Sequence, residues 1–324
     1  MKGYRFLKRI SEGAYGITYQ VEHIESHIRC QSRQETLSEI EFYEKAHHPF
    51  IIDFKESFPL PIKDDPAHRS CLVLEYADGC DLRNMLNTLK KPIPEKLALM
   101  WFAEACLGLA RMHEKRIAHR DLKPENILLT CGRHGGVAKI ADFGCQKYIR
   151  EDERQTYQIG TGQYFAPEKI KKNYDMKVDV WSMGIVLYEM LTGGEHPVEF
   201  DFEKYSLLEY MMELPHLKLK QMPSTISKPC QELIISMLQK DPLQRPTIAQ
   251  VLGVPIVYEM KFLRSLHSKS QISKSFNPLQ RLKKRKQEQQ AQQLHQPYHQ
   301  LLQRLQSRHN QVRQTCSVNQ CSIS

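Results

Sequence analysis

The run His119-Arg120-Asp121-Leu122-Lys123-Pro124-Glu125-Asn126 packs carboxylates, cations and an amide into one short stretch, and the apolar Ile127-Leu128-Leu129 follows it directly. Asp142-Phe143-Gly144 comes next, behind the apolar pair Ile140-Ala141, so a further carboxylate sits on the rim of a buried strand. A chain carrying this pattern has to bury the flanking strands while holding Asp121, Asn126 and Asp142 at the edge of the core. An aspartate before a glycine is by itself an ordinary turn; the spacing from Asn126 singles out Asp142. The carboxylate of Asp121 is suited to accepting or orienting a hydroxyl proton, and the oxygens of Asn126 and Asp142 are hard ligands for a hard cation.

The remaining pattern divides the chain. Residues 4 to 22 read as two short strands around a turn at Gly13 and Gly16, because Tyr4, Phe6, Leu7 and Ile10 lead in and Ile17, Tyr19 and Val21 alternate afterwards. Residues 35 to 46 read as a helix that His48-Pro49 ends, and strands follow around Phe50–Phe58 and Cys71–Tyr76. From Asp81 onward helices dominate. Leu97–Met112 and Val178–Leu191 are apolar nearly all round, which predicts helices buried on most sides, and Gly193-Gly194 marks a stop. Helical runs near 204–213 and 229–239 complete the second half. Strands first and helices afterwards predict an α+β fold with a small sheet lobe and a larger helical one.

Composition changes after about residue 264. Residues 265 to 324 hold ten lysines or arginines against the single acid Glu288, which is the whole net charge of +9, so the body before them is formally neutral. An anionic partner is therefore expected to meet the tail, and Arg281-Leu282-Lys283-Lys284-Arg285-Lys286 reads as a nuclear-import or anionic-surface patch, or as a solvated charge run. The tail is also glutamine-rich. Leu294, Tyr298, Leu301 and Leu305 keep a coiled-coil spacing that Pro297 interrupts, leaving a disordered tail or a weak self-associating coil as the alternatives. The nine cysteines have no zinc-like spacing, and neither a leader peptide nor a membrane-spanning run is apparent, so the expectation is a soluble intracellular protein, cytoplasmic, with nuclear or cytoskeletal sites as alternatives.

The motifs together resemble the catalytic core of eukaryotic protein kinases. The resemblance implies a bilobal fold over residues 4–263, with an N-lobe of about 4–76, a C-lobe of about 80–263 and a tail of 264–324. It also implies transfer of the γ-phosphate of ATP to protein hydroxyls with Mg2+, catalysed by Asp121, Lys123 and Asn126, with metal ligands Asn126 and Asp142. Gly160-Thr161-Gly162-Gln163-Tyr164-Phe165-Ala166-Pro167-Glu168 resembles the end of an activation segment, in which Thr161 contacts the catalytic pair and marks serine or threonine acceptors. Arg120 beside the catalytic Asp points to switching by activation-loop phosphorylation, placed here at Thr156. In the resemblance Glu168 pairs with Arg245 as a buried structural ion pair, and Asp179 holds the backbone of the catalytic loop.

Glu75-Tyr76-Ala77-Asp78-Gly79-Cys80-Asp81-Leu82 is similar to the hinge of NIMA-related (NEK-like) serine/threonine kinases, as are Trp101-Phe102 and Cys106-Leu107-Gly108-Leu109 in the next helix. This implies adenine contacts at Glu75 and Ala77, a gatekeeper at Leu74, Asp81 near the ribose, and Leu128 in the same nucleotide-binding set. The glycine-rich segment Ser11-Glu12-Gly13-Ala14-Tyr15-Gly16-Ile17-Thr18 keeps Gly13 and Gly16 for close approach of backbone to phosphate, while Thr18 replaces a valine. A larger departure lies beyond it: no lysine occurs between Lys8 and Lys45. Counting back from His48-Pro49 places Glu39 as the helix glutamate, and Ser26-His27-Ile28-Arg29 is then the nearest match to V-A-I-K, with Arg29 where lysine usually grips the phosphates. The N-lobe is accordingly shortened. Three accounts remain: a transcript lacking part of the strand, an active enzyme that uses Arg29 or another cation, and a pseudokinase scaffold.

Overall fold

The computed structural model describes residues 3–13, 16–24, 29–35, 42–43, 47–59, 70–130, 136–143, 147–148, 162–170 and 174–260, with the backbone alone at 11–13, 16–17, 29–35, 59, 70 and 147–148. The first part is a five-stranded antiparallel sheet: β1 (Tyr4–Gly13), β2 (Gly16–His23), β3 (Arg29–Glu35), β4 (Phe54–Pro59) and β5 (Ser70–Glu75), in the order β1-β2-β3-β5-β4. The β1–β2 hairpin closes with Gly13 opposite Gly16, and two register shifts in β1 add local twist. Alternation divides the sheet into two faces. Val21 and Val73 pack outward with Tyr4, whereas Leu72 and Leu74 join the large core shared with the helices.

The second part is helical. Asp81 caps α1 (Leu82–Leu89) by accepting from the Asn84 N–H at 2.8 Å. Helices α2 (Glu95–Glu114) and α3 (Lys177–Thr192) are buried on almost every side, as their unbroken apolar patterns require. Gly193 ends α3 at φ 81°, and a Cβ there would stand 3.0 Å from the Lys91 carbonyl carbon, so glycine is needed for both conformation and space. Capping boxes start α4 (Leu207–Glu213) at Ser206 and α6 (Ile248–Gly253) at Thr247, with α5 (Lys228–Met237) between them and a last helical turn over 255–260.

The two parts form a bilobal α+β structure joined at two places. One is the linker from Tyr76 to Asp81. The other is the segment 50–52, which inserts against α2: the Phe50 carbonyl accepts from Ile140 N at 3.0 Å, and the Ile52 N–H donates to the Ile140 carbonyl at 3.0 Å. Gly108 makes that approach possible, since a Cβ at this position would lie 2.6 Å from the Phe50 oxygen. Short hairpins carry the polar loop on this base: β6 (Ile117–Ala118) pairs β9 (Lys147–Tyr148), and β7 (Ile127–Leu129) pairs β8 (Ala138–Ile140).

Of the predicted helix over 35–46, Glu35 instead ends β3, and beyond it only Phe42 and Tyr43 are described, both helical and buried. The tail from 264 and its basic and coiled-coil patterns lie outside the described residues.

Candidate active site

The polar loop 119–126 is built from beneath. Asp179, in the first turn of α3, is fully buried and accepts the His119 N–H at 2.9 Å on one oxygen and the Arg120 N–H at 2.8 Å on the other. His113 Nε2 lies 2.9 Å from the same carboxylate. Burial alone would raise this carboxyl, but the His113 hydrogen bond, the charge of His113 and the Arg120 N–H outweigh it and hold the group below the ordinary carboxylate range. The anchored backbone takes a rare conformation, with φ 73° at Arg120.

His119 locks the next level. Its Nδ1 accepts the Asp121 N–H at 3.3 Å, so the ring hydrogen belongs on Nε2, which faces the Ala141 carbonyl at 3.1 Å. The imidazole thereby ties the polar loop to the residue before Asp142. Phe143 packs into the core beside it, 5.3 Å from the His119 ring and 4.5 and 4.8 Å from Phe42 and Tyr43, while Asp142 turns at φ 63°. The side chains left at the rim converge. Lys123 Nζ stands 3.0 Å from Asp121 Oδ2, and Asn126 Nδ2 donates to the Asp121 carbonyl at 2.7 Å and to its Oδ2 at 3.2 Å.

Committing the amide nitrogen of Asn126 to Asp121 assigns its carbonyl oxygen as the atom that can ligate a cation. The Ala141 N–H donates to the Asn126 backbone carbonyl at 2.9 Å, which brings the half-buried Asp142, another hard oxygen donor, next to this segment. Among the described residues no cluster of three or more His, Cys, Asp or Glu holds a metal by itself. Two protein ligands completed by phosphate and water oxygens are how magnesium commonly binds, so the donor set fits that ion.

The linker side is equally ordered. Leu128 bridges Asp81, the Leu129 N–H donates to the Cys80 carbonyl at 2.9 Å, and the Gly79 N–H donates to the Leu129 carbonyl at 3.0 Å, which pins β7 beneath the linker. Leu74 is buried at the end of β5. The Glu75 N–H is taken by the Asp53 carbonyl at 2.8 Å, and its carboxylate meets Lys139 at 2.7 Å. Asp81, placed near the ribose by the sequence, spends its carboxylate on capping α1. A cleft of about 610 Å³ lies beside this linker, lined by His47, Asp53, Lys55, Glu75 and Lys139 among others. Its charges are paired within the chain, Lys55 with Asp53 at 2.8 Å and Lys139 with Glu75 at 2.7 Å.

Gly13 and Gly16 stand opposite each other at the tip of the β1–β2 hairpin. Arg29 opens β3 opposite Glu22, next to the pair Cys30 and Glu75. Register adds a cation that counting along the sequence missed: Gln31 is opposite Leu74 and Arg33 opposite Leu72, so Arg29, Gln31 and Arg33 occupy alternate positions on the sheet face of Leu72 and Leu74. Glu39, Thr156 and Thr161 lie outside the described residues.

The scaffold pair is explicit. Arg245 donates to both carboxylate oxygens of Glu168, at 2.5 and 3.0 Å, and also to the carbonyls of Gln239 and Lys177, while lying over the Trp181 ring at 5.2 Å. A second network was not visible in the sequence. Arg83 donates to Glu125 and to Glu189, both at 2.9 Å, and to the Tyr164 hydroxyl, which itself donates to Glu189 at 3.0 Å.

Comparison with known proteins agrees with this geometry. Residues 4–257 match the protein kinase domain family. The chain is 29% identical over 290 residues to the serine/threonine-protein kinase nekl-2 of Caenorhabditis elegans, covering 82% of this chain and 77% of that one. It is 31% identical to human Nek5 and 32% identical to mouse Nek3, over 79% and 78% of this chain but only 37% and 49% of theirs. The chain thus spans less than half the length of those two relatives.

Proposed function

Because the chain belongs to the protein kinase family and is related to the NIMA-related serine/threonine kinases, we propose that it transfers the γ-phosphate of ATP to serine or threonine hydroxyls of protein substrates, with Mg2+ as the metal. The observation that carries this reading is the convergence of Lys123 and Asn126 on Asp121, on a backbone held by the buried Asp179. Asp121 accepts the proton of an incoming hydroxyl and points its lone pair along the line of attack. Lys123, 3.0 Å from the Asp121 carboxylate, places a cation where negative charge gathers on the transferred group. Asn126 fixes the angle of Asp121 and, with Asp142, would hold the metal. A bound magnesium ion neutralises charge across the phosphate oxygens.

The cation that grips the remaining phosphates belongs to β3 on this reading, where Arg29 is opposite Glu22 and Arg33 is opposite Leu72. A scaffold has no use for Asp121, Asn126 and Asp142 together, so the enzyme is the reading retained. Regulation at Thr156, adenine contacts at Glu75 and Ala77, and an anionic partner for the basic tail belong to the same proposal.

The test is phosphate transfer from Mg-ATP to a generic protein substrate by the purified chain and by Asp121→Asn. Transfer by the wild type, lowered at least a hundredfold in the variant, is the expected result. Identical behaviour of the two proteins refutes the reading.

A further inference from the structure

Two carboxylates and a phenol converge on one internal cation beside the catalytic loop. Glu125 belongs to the Pro124–Asn126 turn and its side chain is 43% exposed; Glu189 comes from α3 and is 4% exposed; Tyr164 is buried in the turn Gly162–Tyr164. Arg83, at the start of α1, spans all of them, and its own side chain is 22% exposed. The guanidinium is therefore at the surface end of an acidic recess whose floor is Glu189 and whose rim is Glu125.

An acceptor segment that brings its hydroxyl to Asp121 has to lie against the same turn, because Glu125 is four residues from Asp121. An extended chain advances about 3.3 Å per residue, so a side chain two to four places from the acceptor reaches the rim. Without Arg83 the recess would be a site for a lysine or arginine of the substrate, with the Glu125 carboxylate at its rim, the Glu189 oxygens as acceptors on its floor and no internal counter-ion. With Arg83 in place, that site is filled by the protein itself.

We propose that Arg83 is a specificity-determining residue: it occupies the acidic recess beside the acceptor position, so that the enzyme does not select substrates by a basic residue near the phosphorylated hydroxyl. The inference rests on the kinase reading above and adds to it the sign of the charge read next to the acceptor. Specificity here is set by filling a site from within, which removes an attraction that the surrounding carboxylates would otherwise provide.

The experiment compares wild type, Arg83→Met and Arg83→Lys on two peptide sets with a serine acceptor, one carrying a single arginine two to four residues away and one carrying alanine there. Arg83→Met is expected to gain roughly five- to tenfold in kcat/KM for the arginine set, through KM, and Arg83→Lys to keep the wild-type ranking. Arg83→Met/Glu125→Gln is expected to lose the gain. Direct binding of the same labelled peptides, read by fluorescence anisotropy, makes the comparison without phosphate transfer: tighter binding of the arginine peptide by Arg83→Met alone supports the proposal. If the wild type transfers no phosphate, the kinase reading fails while the binding result still decides the role of Arg83. A folded Arg83→Met with wild-type ranking and binding overturns the proposal, as does a wild type that already prefers arginine. Should Arg83→Met lack a thermal unfolding transition, Arg83→Gln, which keeps a donor for Glu189 without the charge, takes its place under the same criteria.

Discussion

Replacing Asp179 by asparagine isolates what the buried anchor contributes, because the shape is preserved and only the charge and one acceptor oxygen are lost. The carboxylate takes the His119 and Arg120 N–H groups on separate oxygens and contacts His113 at 2.9 Å, with no exposure to water. An amide offers one oxygen, so one backbone donor must face an NH2 group. A hydrogen bond to a charged group contributes about 1.5–3 kcal/mol, and a stranded buried donor costs about 1–3 kcal/mol. The expected loss in unfolding free energy at neutral pH is therefore ~3–4 kcal/mol, which a domain of ordinary stability survives at reduced margin.

The same substitution should act on turnover. Arg120 holds φ 73° next to Asp121, and its N–H bond to Asp179 is what opposes relaxation. Asp179→Asn is expected to lower kcat at least tenfold with a smaller change in the KM for ATP. Acid should close the stability gap. The Asp179 carboxyl is depressed from 3.8, so its contribution is complete above that value and is lost as pH falls through the lower folded value, where the wild type becomes the neutral analogue of the variant. Urea unfolding of both proteins between pH 3 and 8, with initial rates at neutral pH, measures all of this. A variant within about 1 kcal/mol of wild type at neutral pH, or one with unchanged kcat, refutes the anchoring argument.

Other outcomes follow from the same geometry. Arg245→Met strands the Glu168 carboxylate and the carbonyls of Gln239 and Lys177, and should cost ~3–5 kcal/mol in urea unfolding, more than Glu168→Gln, which leaves the arginine its carbonyl acceptors. Arg33→Ala should raise the KM for ATP roughly tenfold and Arg29→Ala less, since Arg33 lies farther along β3 from the linker; equal effects would remove Arg33 from the phosphate grip. Burial lifts the Glu189 carboxyl from 4.5 to about 7 against the pull of Arg83, so the folded state binds the extra proton and stability falls as pH rises from about 4.5 through 7. Thermal unfolding should show that Glu189→Gln flattens this slope between pH 5 and 8.

What could be read from the sequence was whatever depends on neighbours along the chain. Asp121, Lys123 and Asn126 meet because they share one tight loop, and Asp142 joins them because the two strands of a short hairpin return it to the same rim. The buried helices and the stop at Gly193 were legible for a similar reason, since an apolar surface on all sides and a left-handed residue are local demands. Long-range chemistry left no such trace. Arg83 is 42 residues from Glu125 and 106 from Glu189, and nothing in the periodicity of α1 distinguishes an arginine that closes an acidic recess from one that faces water.

The cation proposed to grip the phosphates shows the same limit. Matching Ser26-His27-Ile28-Arg29 to a four-letter pattern fixes a position by its letters, whereas a strand fixes it by its partners. Pairing sets Gln31 against Leu74 and Arg33 against Leu72, so register brings in a second arginine that the four-letter pattern does not contain. Because the side-chain period of a strand is two, Arg29 and Arg33 hold register positions on one face of the sheet, that of Leu72 and Leu74. On the proposal that β3 supplies the phosphate-gripping cation, the two alanine variants separate Arg29 from Arg33 as its source.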